Sequence, residues 1–127
     1  EKLILLLNQN GTIILRFPVI DSYAYYFYKQ NWVQFDAPRH INLFTRKSFR
    51  LFMQKFPSMY ISDMYDDSYH FQFTGSEIYK NNGTLKSENN RMKKLLSLST
   101  YLYHFKAKKL NKESNGDQIV VVLNKKN

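Results

Sequence analysis

The stretch that decides the fold runs from residue 10 to residue 28, NGTIILRFPVIDSYAYYFY, and resumes from 31 to 56 as NWVQFDAPRHINLFTRKSFRLFMQKF. Its opening Asn10-Gly11 pair reads as a turn, since both residue types accept the positive φ that tight turns use. Residues 12–17 (TIILRF) follow as a β-branched, almost unbroken apolar run, the pattern of a strand covered on both faces. Pro18 limits that strand because it has no N–H for a ladder. Asp21-Ser22 supplies capping oxygens for a short aromatic helix, Tyr23–Tyr28. Residues 31–42 show no clean period, contain Pro38 and read as a loop. Thr45 then caps an amphipathic helix over 46–56, where Phe49, Phe52, Met53 and Phe56 recur at three- and four-residue steps as one buried stripe. Pro57 ends it.

Outward from this stretch the signals are coarser. Residues 3–7 read either as the last turns of a helix or as a buried strand, and periodicity does not choose. Residues 59–65 (MYISDMY) predict a second strand. Residues 66–75 are polar, aromatic and irregular, and 81–83 (NNG) read as a turn. A long helix is expected over 89–111, with Met92, Leu95, Leu96, Leu98, Leu102, Phe105 and Leu110 turned inward. Residues 112–117 read as a loop, 118–123 (QIVVVL) as a third strand and 124–127 as a frayed basic tail. The order is strand, helix, strand, long helical segment, strand, which places the chain in the α/β class. The first two strands, joined through a helix, should run parallel in a right-handed unit. The last strand can run either way. Three strands make a small sheet, and one edge of the first strand is expected to lack a partner, which is a liability for an isolated chain.

With 127 residues the chain has room for one domain, and 43% hydrophobic residues suffice for a core. It has no cysteine, which excludes a disulfide scaffold, a thiolate metal site and a cysteine nucleophile. That absence fits a cytoplasmic location. His40, His70 and His104 stand far apart, which argues against a compact zinc site. No apolar run approaches the ~20 residues of a membrane span, so no membrane partner is expected. The chain does not begin with Met, which leads us to expect one partial domain over 1–127, a piece of something longer.

The net charge is +9, and its location matters more than its size. Residues 79–112 hold nine lysines and arginines against Glu88 alone, so eight of the nine net charges fall in this basic helical insertion. One reading is a solvated helix face. The other is a nucleic-acid surface, which no zinc-finger, homeodomain or RNP signature supports, so nucleic acid is not the expected partner.

The quoted stretch resembles the C-terminal half of class I S-adenosylmethionine-dependent methyltransferases. Trp32, Asp36, Pro38-Arg39-His40 and Phe44-Thr45 carry the resemblance. Tyr65-Asp66-Asp67-Ser68, Phe71-Gln72-Phe73, Gly75-Ser76-Glu77 and Gly116-Asp117-Gln118 extend it over almost the whole chain. Asn10-Gly11 stands where the family has a Gly-Gly turn. The resemblance implies that the three strands are strands five, six and seven of a Rossmann-like sheet, with seven antiparallel between five and six. It also implies S-adenosylmethionine as cofactor and a small-molecule or glycan acceptor. The family holds its cofactor on a Gly-rich turn, whose glycines allow close backbone approach. Gly11, Gly75, Gly83 and Gly116 are all isolated, so the cofactor-binding residues are unknown and this chain alone should be inactive. Its partner would be an N-terminal half, or a second copy joined through the open strand edge.

Within that expectation, methyl transfer needs positioning and sometimes a base. His40 is the candidate catalytic base or acceptor partner, because imidazole titrates near neutrality. Asp36, four residues earlier, would orient it. The alternative for His40 is a loop histidine satisfied by backbone. Arg39 offers a fork for an anionic acceptor; its alternative is an ion pair with Asp36 or Asp21. Trp32 and Tyr23, with Ser22 beside them, are candidates for an aromatic substrate pocket, against ordinary packing. Ser76 and Glu77 would reach the same cleft, unless they serve helix capping. Two further functions stay open: a basic nucleic-acid-binding module on 79–112, and a non-catalytic partner subunit that completes another chain's sheet. The triplets Asn10-Gly11-Thr12 and Asn82-Gly83-Thr84 match a glycosylation pattern but read as turns.

Overall fold

The computed structural model describes residues 2–36, 38–85 and 90–126, and side chains at 90–98 lie outside that description. Three strands, β1 (Thr12–Pro18), β2 (Met59–Asp66) and β3 (Gln118–Lys125), form one sheet in the order β1-β3-β2. The last strand lies between the first two and runs antiparallel to both. β1 and β2 therefore run the same way, as expected, but do not pair with each other. β3 takes the centre because Ile119, Val120, Val121 and Leu123 are all buried, as a strand with neighbours on both edges and apolar residues on both faces requires. Its ladder reaches Asn124 and Lys125 rather than ending at 123.

The β1–β3 register is unbroken from Thr12↔Asn124 to Pro18↔Gln118. The β2–β3 register shifts between Ile61 and Asp63. That bulge resets the two-residue alternation, which is how Ile61 and Met64, of opposite parity, both reach the same core. This core lies on one face of the sheet, where Ile119, Val121 and Leu123 pack with Ile13, Leu15 and Phe17 against α3 (Arg46–Met53). The other face of β1 is open: Thr12, Ile14 and Arg16 point outward, and Ile14 is 68% exposed. The expectation of two covered faces is corrected here, because apolar sequence at Ile14 is not matched by anything packed on it.

α3 begins with a capping box. Thr45 Oγ1 accepts from the Ser48 N–H at 2.9 Å, and Ser48 Oγ accepts from the Thr45 N–H at 2.8 Å. The helix stops at Met53, three residues before its expected end, and Phe56 continues the apolar stripe from a turn. α1 (Lys2–Leu5) is a short exposed helix, not a strand. Gly11 closes the following turn without a positive φ; a side chain there would collide with Leu7.

A second core assembles from α2 (Tyr23–Tyr28), α4 (Phe71–Asn82) and α5 (Asn90–Lys112) around Trp32, Phe73, Ala107 and Leu110. Ser22 Oγ caps α2 by accepting from the Tyr25 N–H at 3.2 Å. α4 replaces the irregular stretch expected before residue 75. It is closed by Gly83, whose left-handed φ of 66° turns its N–H onto the Tyr79 carbonyl. In α5 the inward stripe is Tyr103, Ala107 and Leu110. Leu102 and Phe105 were expected inward and are instead 69% and 52% exposed, since they lie off that stripe at ~100° per residue. The expectations for Met92, Leu95, Leu96 and Leu98 lie outside the described side chains. Among the described residues no helix is long and apolar enough to cross a membrane.

Candidate functional site

Polar side chains converge where β1 and β2 end and β3 begins. The carboxyl ends of strands are where open α/β sheets bind ligands. Arg46, the first residue of α3, sits at the centre. Its Nε and Nη2 donate to the two Asp66 carboxylate oxygens at 3.3 and 2.7 Å, and Nη2 also reaches the Gly116 carbonyl at 2.8 Å. Nη1 donates to Asp21 Oδ1 at 2.9 Å and to the Asp21 carbonyl at 3.0 Å. A guanidinium has five N–H donors, and all five are engaged, so Arg46 is a joint between strand ends rather than a free anion binder. Asp66 Oδ2 also accepts from the Gly116 N–H at 2.7 Å. A Cβ on Gly116 would stand 2.5 Å from Asn111 Oδ1 and 2.6 Å from Ser68 Oγ, so a side chain here would displace groups that hold the crossing together.

Beside this joint, Trp32 is buried and donates from Nε1 to Asp117 Oδ2 at 3.0 Å. Burial pushes the Asp117 carboxyl up to about 6, against the opposing pull of hydrogen bonds from Trp32 and Ser68. The indole–carboxylate bond ties Trp32 of the second core to the residue before β3, across 85 residues of sequence.

The turn that carries Asp36, Arg39 and His40 is more exposed. Asp36 Oδ2 pairs with Arg39 Nη1 at 3.0 Å, and the Arg39 side chain is 74% exposed. His40 Nδ1 faces the Gln34 carbonyl at 3.1 Å. The expectation that Asp36 orients His40 is corrected: its carboxylate goes to Arg39, and the Gln34 backbone carbonyl faces the imidazole instead. A carbonyl only accepts, so Nδ1 carries the proton and Nε2 is the basic nitrogen of the neutral ring.

The other expected site residues divide. Ser22 and Ser76 are fully buried. Ser76 lies inside α4 rather than at a cap, accepting from the Val33 N–H at 2.9 Å and donating to the Gln72 carbonyl at 2.6 Å. Glu77 Oε1 accepts from Tyr28 Oη at 2.8 Å, and burial followed by this carboxylate raises the Tyr28 phenol above its ordinary range. Tyr23 accepts from Lys106 Nζ at 3.0 Å. The structure brings Tyr23, Phe73 and Tyr103 together with Lys106, while Asp36, Arg39 and His40 bond with one another and with the Gln34 carbonyl.

Sequence reasoning missed Arg46, Asp21 and Asp66 as a unit. One signal was present: a cation in a helix's first turn opposes the macrodipole, so Arg46 directly after its Thr45 cap needed another reason to be there. Among the described residues no cluster of three histidine or carboxylate side chains is placed to hold a metal ion. Together these features define a small α/β domain with an antiparallel central strand and a buried ionic joint at its strand ends. No family model, characterised protein or solved structure matches the chain.

Proposed function

We propose that this chain is the substrate-side part of a class I S-adenosylmethionine-dependent methyltransferase acting on a small-molecule or glycan acceptor. One observation carries the reading: the last strand runs antiparallel between the first two, in the order β1-β3-β2. That is the arrangement the sequence resemblance implies for strands five, seven and six. A further support is that the resembling motifs meet in space, Trp32 on Asp117 and Asp66 on Gly116.

The residues present do not fit the cofactor. Gly116 is filled in by Asn111 and Ser68, Gly75 lies against Val33 and Phe71, and Gly11 against Leu7. None of these three leaves a cradle for a nucleoside, and Gly83, which has open space around it, is the single cap of α4 and not part of a Gly-rich turn; among the described residues no step of the transfer falls to cofactor-holding groups. This chain's part is on the acceptor side, where His40 would be the group that takes the acceptor's proton. The free margin of β1 is where further strands would pair, in one longer chain or as a partner subunit.

The test starts from the coding DNA upstream. An in-frame Gly-rich turn after a strand is expected there, and the longer product should bind S-adenosylmethionine in calorimetry while residues 1–127 alone do not. Tight binding by residues 1–127 alone would refute the incomplete-site reading. A longer product that binds nothing would refute the enzymatic one. A second reading rests on the outer face of α5, where Tyr101, Phe105, Lys108 and Lys112 are exposed: aromatics and lysines together suit single-stranded nucleic acid. Oligonucleotide binding that weakens steeply with salt would favour it.

A further inference from the structure

Between α2, α4 and α5, three aromatic rings surround one cation. The Lys106 ammonium lies 4.2 Å from the Tyr23 ring centroid, 4.9 Å from that of Phe73 and 5.8 Å from that of Phe27. Tyr23 and Phe27 stack at 5.7 Å, and Tyr103 stacks on Phe73 at 5.0 Å. A cation within ~6 Å of a ring face is attracted by the ring quadrupole, more strongly as it is stripped of water. Phe27 is half-exposed, so the group of rings opens to solvent.

The fit to a lysine is partial. A primary ammonium carries three N–H donors, and among the described residues the cage offers it one acceptor, the Tyr23 hydroxyl at 3.0 Å. Ring faces with a single acceptor match a nitrogen whose hydrogens are replaced by methyl groups, which needs contact and charge compensation but few hydrogen bonds. We propose that Tyr23, Phe27 and Phe73 form a binding site for a methylated ammonium group, and that Lys106 fills it from within the chain as a tethered competitor. Nothing in this depends on the methyl-transfer reading.

A tethered competitor acts at an effective concentration of order millimolar, so an external ligand binds the unmodified chain weakly. Lys106→Met removes the charge and keeps an unbranched stem. The probe is tetramethylammonium chloride, read by proton NMR of its N-methyl groups, which ring currents shift upfield when they sit over aromatic faces. The variant is expected to bind at least about tenfold more tightly than the unmodified chain, and Tyr23→Leu in the same background to abolish the shift. The uncharged tert-butyl analogue 3,3-dimethylbutan-1-ol should bind far more weakly. Equal binding of the uncharged analogue, or no upfield shift in the Lys106→Met chain, would overturn the proposal. If circular dichroism shows that variant unfolded, Lys106→Gln, which also removes the competing charge, takes its place: an upfield shift supports the site, and none overturns it.

Discussion

Asp117 is a carboxylate held almost without water, and its carboxyl sits at about 6 rather than near 3.8. The folded state therefore binds this proton more tightly than the unfolded chain does. Below pH 4 both states are protonated and the group costs nothing. As pH rises through the window from about 4 to about 6, the native state must ionise a buried acid, and stability falls. The loss is on the order of 2–3 kcal/mol from the one-unit equivalence of 1.36 kcal/mol. Urea unfolding at pH 4 and pH 7 checks this: Asp117→Asn, which keeps an acceptor for Trp32, should remove that part of the slope. Arg46 makes the opposite case. Arg46→Met strands Asp66, whose side chain is only 4% exposed, and should cost about 3–5 kcal/mol in denaturant melts. Adding Asp66→Asn should recover part of it, since the stranded charge is then gone.

At the scale of elements, α3 owes its start to a reciprocal pair of side-chain bonds. Thr45→Ala should lower stability by about 1 kcal/mol, while Thr45→Asn should be nearly neutral in thermal melts. This helix was legible in sequence because cap, stripe and Pro57 all speak locally. β1 and β3 were legible for the same reason, as β-branched runs, β1 bounded by a turn and Pro18, whereas β2 (MYISDMYD) carries Ile61 alone among methionines and tyrosines. α4 was not legible. Its buried residues include Gln72, Thr74 and Ser76, so an inward polar face hid the helical period. Gln72 is the strongest instance, buried with neither side-chain polar atom hydrogen-bonded. Gln72→Met should raise stability by about 1 kcal/mol or more, because a buried unpaired amide costs more than a thioether of like volume; a lower melting temperature would show the amide to be needed. The site was legible in parts only. Trp32 and Asp117 lay in the quoted motifs, but their meeting, like that of Arg46 with Asp66, depends on strand order, which no local pattern encodes.

For the whole molecule, the two sheet margins differ. β2 is bulged and carries Asp63 within it, both of which discourage pairing. β1 runs seven residues without bulge or inward charge, and beside it Leu15, Phe17, Phe44 and Phe52 line an open apolar groove. Residues 1–127 alone should self-associate along β1. Sedimentation velocity at tens of micromolar should show a dimer, and Ile14→Lys, which adds a charge to the bare face, should return it to monomer. A single monomeric species for the unmodified chain would refute this.

The unequal margins also set how far such association goes. A ribbon propagates without limit only when each newcomer presents a fresh accepting side. Here the newcomer presents the side its own bulge has blunted, so addition is self-terminating. Crowded conditions should yield discrete pairs and not fibrils.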